Sequence, residues 1–210
     1  MFLKFCGFTR REDAETAVWL GVDAVGLVFY RKSPRAVAPG LAADIAAAVK
    51  GKTLLTGVFV EEPEEKILEI ARRVGLDAVQ LHGEEKVENY CSLIGSGLKV
   101  IKAIHPEKLE SMELAAEWKE AADYFLVDAF GKNLPGGTGR RFDLNLLVPF
   151  LETGKPVIVA GGITPQNVKE FLSIKGIYGL DVSSGIEVRP GVKSRAKMEK
   201  LVREVRRKNG

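Results

Sequence analysis

Two side chains able to carry a proton stand at the ends of apolar runs. Cys6 closes Phe2-Leu3-Lys4-Phe5-Cys6, and Asp128 closes Tyr124-Phe125-Leu126-Val127-Asp128. A thiolate can act as a general base or nucleophile and a carboxyl as a general acid. A lone cysteine on a strand is usually a small core hydrophobe. This one ends its strand, with a helical pattern starting at Thr9 or Arg10, and a helix N-terminus lowers a thiol's pKa. Asp128 follows four apolar or aromatic residues, which makes it a candidate proton donor, although an isolated aspartate is more often a cap or loop carboxylate. An acid and a base on separate strands are what an isomerisation needs.

Two late turns suit a phosphate. They read Ala160-Gly161-Gly162-Ile163-Thr164 and Asp181-Val182-Ser183-Ser184-Gly185-Ile186. Glycines let backbone N–H groups approach an anion, serines add hydroxyl donors, and a following helix N-terminus favours negative charge. His82 follows Ala78-Val79-Gln80-Leu81, and Arg35 lies in Lys32-Ser33-Pro34-Arg35. A surface arginine is ordinarily just solvated, whereas one at a site mouth clamps a carboxylate through two hydrogen bonds. Asp181 either binds sugar hydroxyls or caps a turn. His105 and Cys91 are assigned structural roles.

The elements that must position these groups are strand-like runs alternating with helical patterns along the whole chain. Eight runs fall near 2–6, 24–30, 53–60, 78–81, 98–103, 124–128, 156–160 and 177–182. Alternation of this kind gives βα units and a parallel sheet. With 210 residues, each unit has about 26, the compact end of an α/β (β/α)8 TIM barrel of eight parallel strands with outer helices. A single barrel domain spanning 1–210 is therefore expected. Thr9 with Glu12 has capping-box spacing, and Gly21 closes the first helix. Pro63 opens a helix with the apolar face Ile67, Ile70, Ala71 and Val74, stopped by Gly75, and Thr164-Pro165 opens the seventh. Gly21-Val22-Asp23-Ala24-Val25 recurs as Gly75-Leu76-Asp77-Ala78-Val79, an offset of two such units. An open doubly wound sheet would place its Gly-rich loop after the first strand, where this chain has Cys6-Gly7-Phe8-Thr9.

Composition narrows the function classes. A hydrophobic share of 46% with 28% charged residues fits a globular protein, and no apolar run approaches the ~18 residues that span a bilayer. The start lacks the pattern of a secretory signal, so a cytoplasmic location is expected and no membrane partner. A net charge of +3 is too small to argue for nucleic acid. The basic residues Lys193, Arg195, Lys197, Lys200, Arg203, Arg206, Arg207 and Lys208 read as the solvated face of a final helix. Cys6 and Cys91 form neither a zinc motif nor a disulfide framework.

Taken in order, Lys4-Phe5-Cys6-Gly7-Phe8-Thr9-Arg10, Ser33-Pro34-Arg35, Gly57-Val58-Phe59-Val60, Gln80-Leu81-His82-Gly83, Val127-Asp128, Gly136-Gly137-Thr138-Gly139, Ala160-Gly161-Gly162-Ile163 and Asp181-Val182-Ser183-Ser184-Gly185 resemble phosphoribosylanthranilate isomerase of tryptophan biosynthesis. Phe5 and Phe8 stand where that family usually has isoleucine. The resemblance implies an Amadori rearrangement of N-(5-phosphoribosyl)anthranilate, with Asp128 as general acid and Cys6 as general base. It further implies that Arg35 holds the anthranilate carboxylate, that His82 and Asp181 line the pocket, and that Gly161, Gly162, Ser184 and Gly185 hold the phosphate. No metal or organic cofactor is implied; the partner is the small-molecule substrate, and the protein is a monomer or homodimer.

Three alternatives remain in view. The related histidine-pathway isomerase needs a second anion site, but Glu61, Glu62, Glu64 and Glu65 after the third strand would repel one. Indole-glycerol-phosphate synthase relies on lysines at strand tips, where this chain has Cys6 and Asp128. A catalytically silent sugar-phosphate sensor would need only the phosphate cradle.

Overall fold

The computed structural model describes residues 1–128 and 144–207. Gly136, Gly137, Gly139 and the rest of the loop expected around Lys132 to Arg141 lie outside the described residues, as does Lys208. Eight parallel strands pair in chain order and β8 returns to β1, closing a barrel. They are β1 (Phe2–Cys6), β2 (Ala24–Val28), β3 (Leu54–Phe59), β4 (Ala78–Leu81), β5 (Lys99–Ile104), β6 (Tyr124–Asp128), β7 (Val157–Ala160) and β8 (Gly179–Val182). The expected runs match these to within a residue or two at each end.

Parallel strands covered on both faces are mostly apolar, broken here by the buried polar residues Lys4, Thr56, Gln80 and Lys102. Alternation then sorts the side chains. Leu3 and Phe5 of β1 join the layer between strands and helices. Lys4 points inward, because its Nζ bonds Gln80 of β4, a strand that does not neighbour β1. The floor of the barrel is aromatic: Phe2, Tyr124 and Tyr178 meet with centroids 5.3 to 6.2 Å apart.

The outer layer consists of α1 (Arg11–Trp19), α2 (Pro39–Val49), α3 (Glu64–Val74), α4 (Cys91–Ile94), α5 (Ser111–Trp118), α6 (Val148–Leu151), α7 (Val168–Leu172) and α8 (Arg195–Arg206). In α3, Ile67, Ile70, Ala71 and Val74 recur at helical spacing and are the buried face, as the sequence indicates. Pro63 is its N-cap and Gly75, with φ 75°, its left-handed C-cap. Ile67→Ala in that packed layer is expected to cost about 2–5 kcal/mol.

Three expectations need correction. Thr9 does not cap α1, whose N-cap is Arg10 with no side-chain cap; its hydroxyl donates to Gly191 O at 2.6 Å instead. No helix follows the Ser183-Ser184-Gly185 turn. A short 3-10 turn, Ser184–Ile186, leads into an antiparallel hairpin of β9 (Glu187–Arg189) and β10 (Val192–Lys193). Lys193, read as part of a solvated face, is instead only 4% exposed.

The internal repeat has a physical cause. Asp23 Oδ2 accepts the backbone N–H of Leu3 at 2.8 Å, and Asp77 Oδ2 accepts that of Leu55 at 2.8 Å. Asp123 does the same for Val100 at 2.8 Å. Each aspartate enters its own strand and satisfies an N–H at the start of the preceding one, where a parallel ladder leaves donors unpaired.

Candidate active site

Cys6 and Asp128 end β1 and β6, so both stand at the C-terminal rim, where barrels of this architecture carry their chemistry. The sulfur of Cys6 lies on the inner wall. A side chain at Gly26 of β2 would come within 2.7 Å of that Sγ and 3.2 Å of Lys4 Nζ, so only a glycine leaves room for both groups. Lys4, completely buried, donates to Asp181 Oδ2 and to Gln80 Oε1, each at 3.0 Å.

The expectation of a depressed thiol pKa is not met. α1 begins only at Arg11, and burial pushes the Cys6 thiol above its ordinary value. Lys4 pulls in the opposite direction, Asp181 pushes up, and Lys193 pulls down. For Lys4, burial works against the charge, but Asp181 and Cys6 outweigh it and raise its pKa.

Asp128 is half-buried, with its side chain 23% exposed and its Oδ2 3.7 Å from His82 Nε2. His82 Nδ1 meets Gln80 Nε2 at 2.8 Å. Gln80's carbonyl oxygen is already taken by Lys4, so its amide nitrogen donates to Nδ1 and the neutral ring carries its proton on Nε2, toward Asp128. His105, assigned a structural role from the sequence, joins this rim: its ring lies 5.3 Å from that of His82, and burial together with His82 lowers its pKa. Ligand atoms of His82, His105 and Asp128 fall within 4.8 Å of one another. In this orientation His82 presents a donor there rather than a lone pair.

Asp181, 8% exposed, has its Oδ1 buried without a partner among the described residues. A buried acceptor at a strand end, one oxygen already held by Lys4, suits a hydroxyl donor. Arg35 reaches the same rim but bonds Glu187 through two hydrogen bonds, Nε to Oε1 at 2.8 Å and Nη2 to Oε2 at 2.6 Å. A carboxylate arriving from the mouth must therefore use the other edge of the guanidinium.

The loops after β7 and β8 approach closely. Gly161 and Gly162 have φ of 97° and 59°, a conformation that disfavours side chains. A Cβ at Gly185 would fall 1.8 Å from Ile163 O, so the loop after β8 rests directly on the backbone of the loop after β7. Lys193, read from the sequence only as part of a solvated helix face, ties the rim together. Its Nζ bonds the carbonyls of Cys6 and Ser183 and Glu187 Oε1, linking the ends of β1 and β8 to the hairpin. The acidic loop after β3 is structural in part: Glu64 Oε1 accepts Leu93 N–H at 2.7 Å and Glu62 O accepts the Tyr90 hydroxyl.

Comparison with known proteins points to one family. The N-(5'-phosphoribosyl)anthranilate isomerase of Rubrobacter xylanophilus is 43% identical over 192 residues, covering 91% of this chain and 92% of its own. That of Thermotoga maritima is 37% identical, and its crystal structure superposes with a TM-score of 0.87 over 97% of both chains. A phosphoribosyl anthranilate isomerase in complex with reduced 1-(o-carboxyphenylamino)-1-deoxyribulose 5-phosphate is 36% identical, with a TM-score of 0.83 over 97% of both chains. The family model for N-(5'-phosphoribosyl)anthranilate (PRA) isomerase matches residues 3–204, and the chain belongs to that family.

Proposed function

We propose that this chain converts N-(5-phosphoribosyl)anthranilate to 1-(2-carboxyphenylamino)-1-deoxyribulose 5-phosphate, a step of tryptophan biosynthesis, with Asp128 as general acid and Cys6 as general base. The supporting observation is the placement of these two groups on β1 and β6 around one barrel mouth, beside the glycine turns of β7 and β8.

Asp128 gives its proton to the furanose ring oxygen while the anthranilate nitrogen's lone pair forms the C1=N bond and the C1–O bond breaks. The Cys6 thiolate then removes the C2 proton. The C–H electron pair becomes the C1=C2 bond, and the C=N π pair returns to nitrogen, giving an enolamine. Loss of the C2 hydroxyl proton and protonation at C1 yield the ketone. Because the iminium nitrogen accepts the electrons, the scheme asks for neither metal nor organic cofactor.

Burial of Cys6 keeps water from the thiolate once substrate fills the mouth, and Lys4 offsets part of the cost of its charge. Arg35 meets the anthranilate carboxylate, Asp181 Oδ1 takes a sugar hydroxyl, and His82 lines the pocket. Backbone N–H groups around Gly161, Gly162, Ser184 and Gly185 hold the phosphate. Four glutamates after β3 disfavour a second phosphate, which separates this reading from a substrate phosphorylated at both ends. We further read the protein as a cytoplasmic monomer or homodimer; the Thermotoga maritima enzyme is dimeric.

The test is turnover. Purified protein should quench the fluorescence of freshly made phosphoribosylanthranilate catalytically, before and after treatment with a chelator. Cys6→Ser and Asp128→Asn should each retain binding of a reduced product analogue while kcat falls by about 10²-fold or more. Parent-like turnover in both variants overturns the role assignments.

A further inference from the structure

We propose that Lys4 is a positioning residue of the isomerase: its buried ammonium stabilises the Cys6 thiolate and, through Gln80, holds His82 in the tautomer whose Nε2–H points at Asp128. This rests on the roles given to Cys6 and Asp128 above.

Lys4 occupies an expensive position. A fully buried ammonium is tolerated only when its hydrogens are used and its charge is compensated. Two of its three N–H groups go to Asp181 Oδ2 and Gln80 Oε1. A third remains, and the group within its reach is Cys6, two residues along the same strand and on the same inner face. Serving merely as a counterion for Asp181 would not require Lys4 to stand beside the one thiol at the rim.

The second branch runs across the barrel. Gln80 accepts from Lys4 with its oxygen and must therefore present its amide hydrogens to His82. A chain of donors thus leads from the ammonium near the base to the imidazole facing the acid. When Asp128 has lost its proton, the Nε2–H is placed to donate to the new carboxylate, 3.7 Å away before substrate binds. One buried cation thus stands beside the base on β1 and, through Gln80, orients the imidazole that faces the acid on β6, a strand that does not neighbour β1.

The titration of Cys6 depends on every charge packed around it: Lys4 on its own strand, Asp181 on β8, Lys193 on β10, and Arg35 after β2. Lys4 and Asp181 act on it with opposite sign, which permits a test that a purely structural role would fail.

The experiment is iodoacetamide alkylation of Cys6 as a function of pH, followed by mass spectrometry, with all proteins carrying Cys91→Ser to remove the exposed thiol. Lys4→Met should raise the midpoint of reactivity by about 1 unit or more, and Asp181→Asn should lower it. An unchanged or lowered midpoint in Lys4→Met overturns the proposal, and should that variant not fold the His82 tautomer decides the matter alone. Imidazole ¹⁵N shifts of neutral His82 should report the proton on Nε2 in the parent and on Nδ1 in Gln80→Glu, because a carboxylate there can only accept. A parent ring protonated on Nδ1 also overturns it. Neither readout involves turnover, so a failure of the isomerase assignment shows separately, as parent-like kcat in Cys6→Ser.

Discussion

Arg35 and Glu187 face each other through paired bonds, 2.8 and 2.6 Å long, with the glutamate side chain 4% and the arginine 22% exposed. Glu187 also receives Lys193 at 2.9 Å, so one carboxylate answers two cations and fixes an arginine at the mouth of the site.

That arrangement makes stability depend on acid. Burial alone would raise the pKa of Glu187, but hydrogen bonds and charge from Arg35 and Lys193 outweigh it, leaving the folded pKa below the ordinary value of 4.5. A depressed carboxylate contributes stability that is present above its unfolded pKa and lost as pH falls through the folded one. Glu187→Gln is expected to cost about 1–3 kcal/mol at neutral pH, by loss of charged hydrogen bonds. Urea unfolding of parent and variant should show that gap closing below about pH 4.5. A gap independent of pH would mean that the carboxylate's charge contributes nothing.

The role proposed for Cys6 sets a second pH dependence, in activity. Its pKa is raised by burial, which outweighs the pull of Lys4, so at neutral pH little of it is thiolate. A base must be deprotonated to act, and kcat/KM should therefore climb about tenfold per pH unit on the acid side of the thiol's titration. Steady-state kinetics in the free-enzyme regime check this; a profile flat from neutral to mildly alkaline pH assigns the limiting proton transfer elsewhere.

The barrel was legible because parallel strands buried on both faces produce mostly apolar runs, and a polar residue ending such a run stands out. Cys6, Asp128, His82 and Asp181 all carry that signal. Lys193 and Glu187 carry none: they lie on the hairpin after β8, in a charged stretch whose burial depends on the distant carbonyls of Cys6 and Ser183. Thr9 has the right spacing for a cap, yet Gly191, far along the chain, takes its hydroxyl. The direction of the Cys6 shift was also hidden, since a nearby helix start is visible in sequence while the depth of burial is not. His105 follows β5 as His82 follows β4, and it was passed over because the fifth run was read as ending at Ala103, one residue short of the observed strand end at Ile104.

Away from the chemistry, Lys102 and Glu85 form a buried pair at 2.5 Å, with side chains 0% and 1% exposed. Glu85 also accepts the N–H groups of Gly83 and Glu61, and its carbonyl accepts Trp118 Nε1–H, so it braces the loop that follows His82. Glu85→Ala leaves a buried ammonium without its counter-charge and two backbone N–H groups without that acceptor. It is expected to cost about 3–5 kcal/mol. Lys102→Met combined with Glu85→Gln should cost less than Glu85→Ala, because no charge is then stranded. Denaturant unfolding of the three proteins tests this, and a double variant less stable than Glu85→Ala refutes it.

Gly185 offers the sharpest steric test of the phosphate cradle. The Cβ of Gly185→Ala would stand 1.8 Å from the carbonyl oxygen of Ile163 and 2.8 Å from its carbon, both backbone atoms that no rotamer change can move. The loops after β7 and β8 must then part by an ångström or more. Misplacement of that size in a binding group costs up to about 10²-fold in kcat/KM. Since the clash lies at the proposed cradle and not beside Cys6 or Asp128, the loss should appear mainly as a higher KM and as weaker competition by inorganic phosphate. The iodoacetamide reactivity of Cys6 should stay at the parent value. Parent-like KM in a folded Gly185→Ala protein would place the phosphate somewhere other than between these two turns.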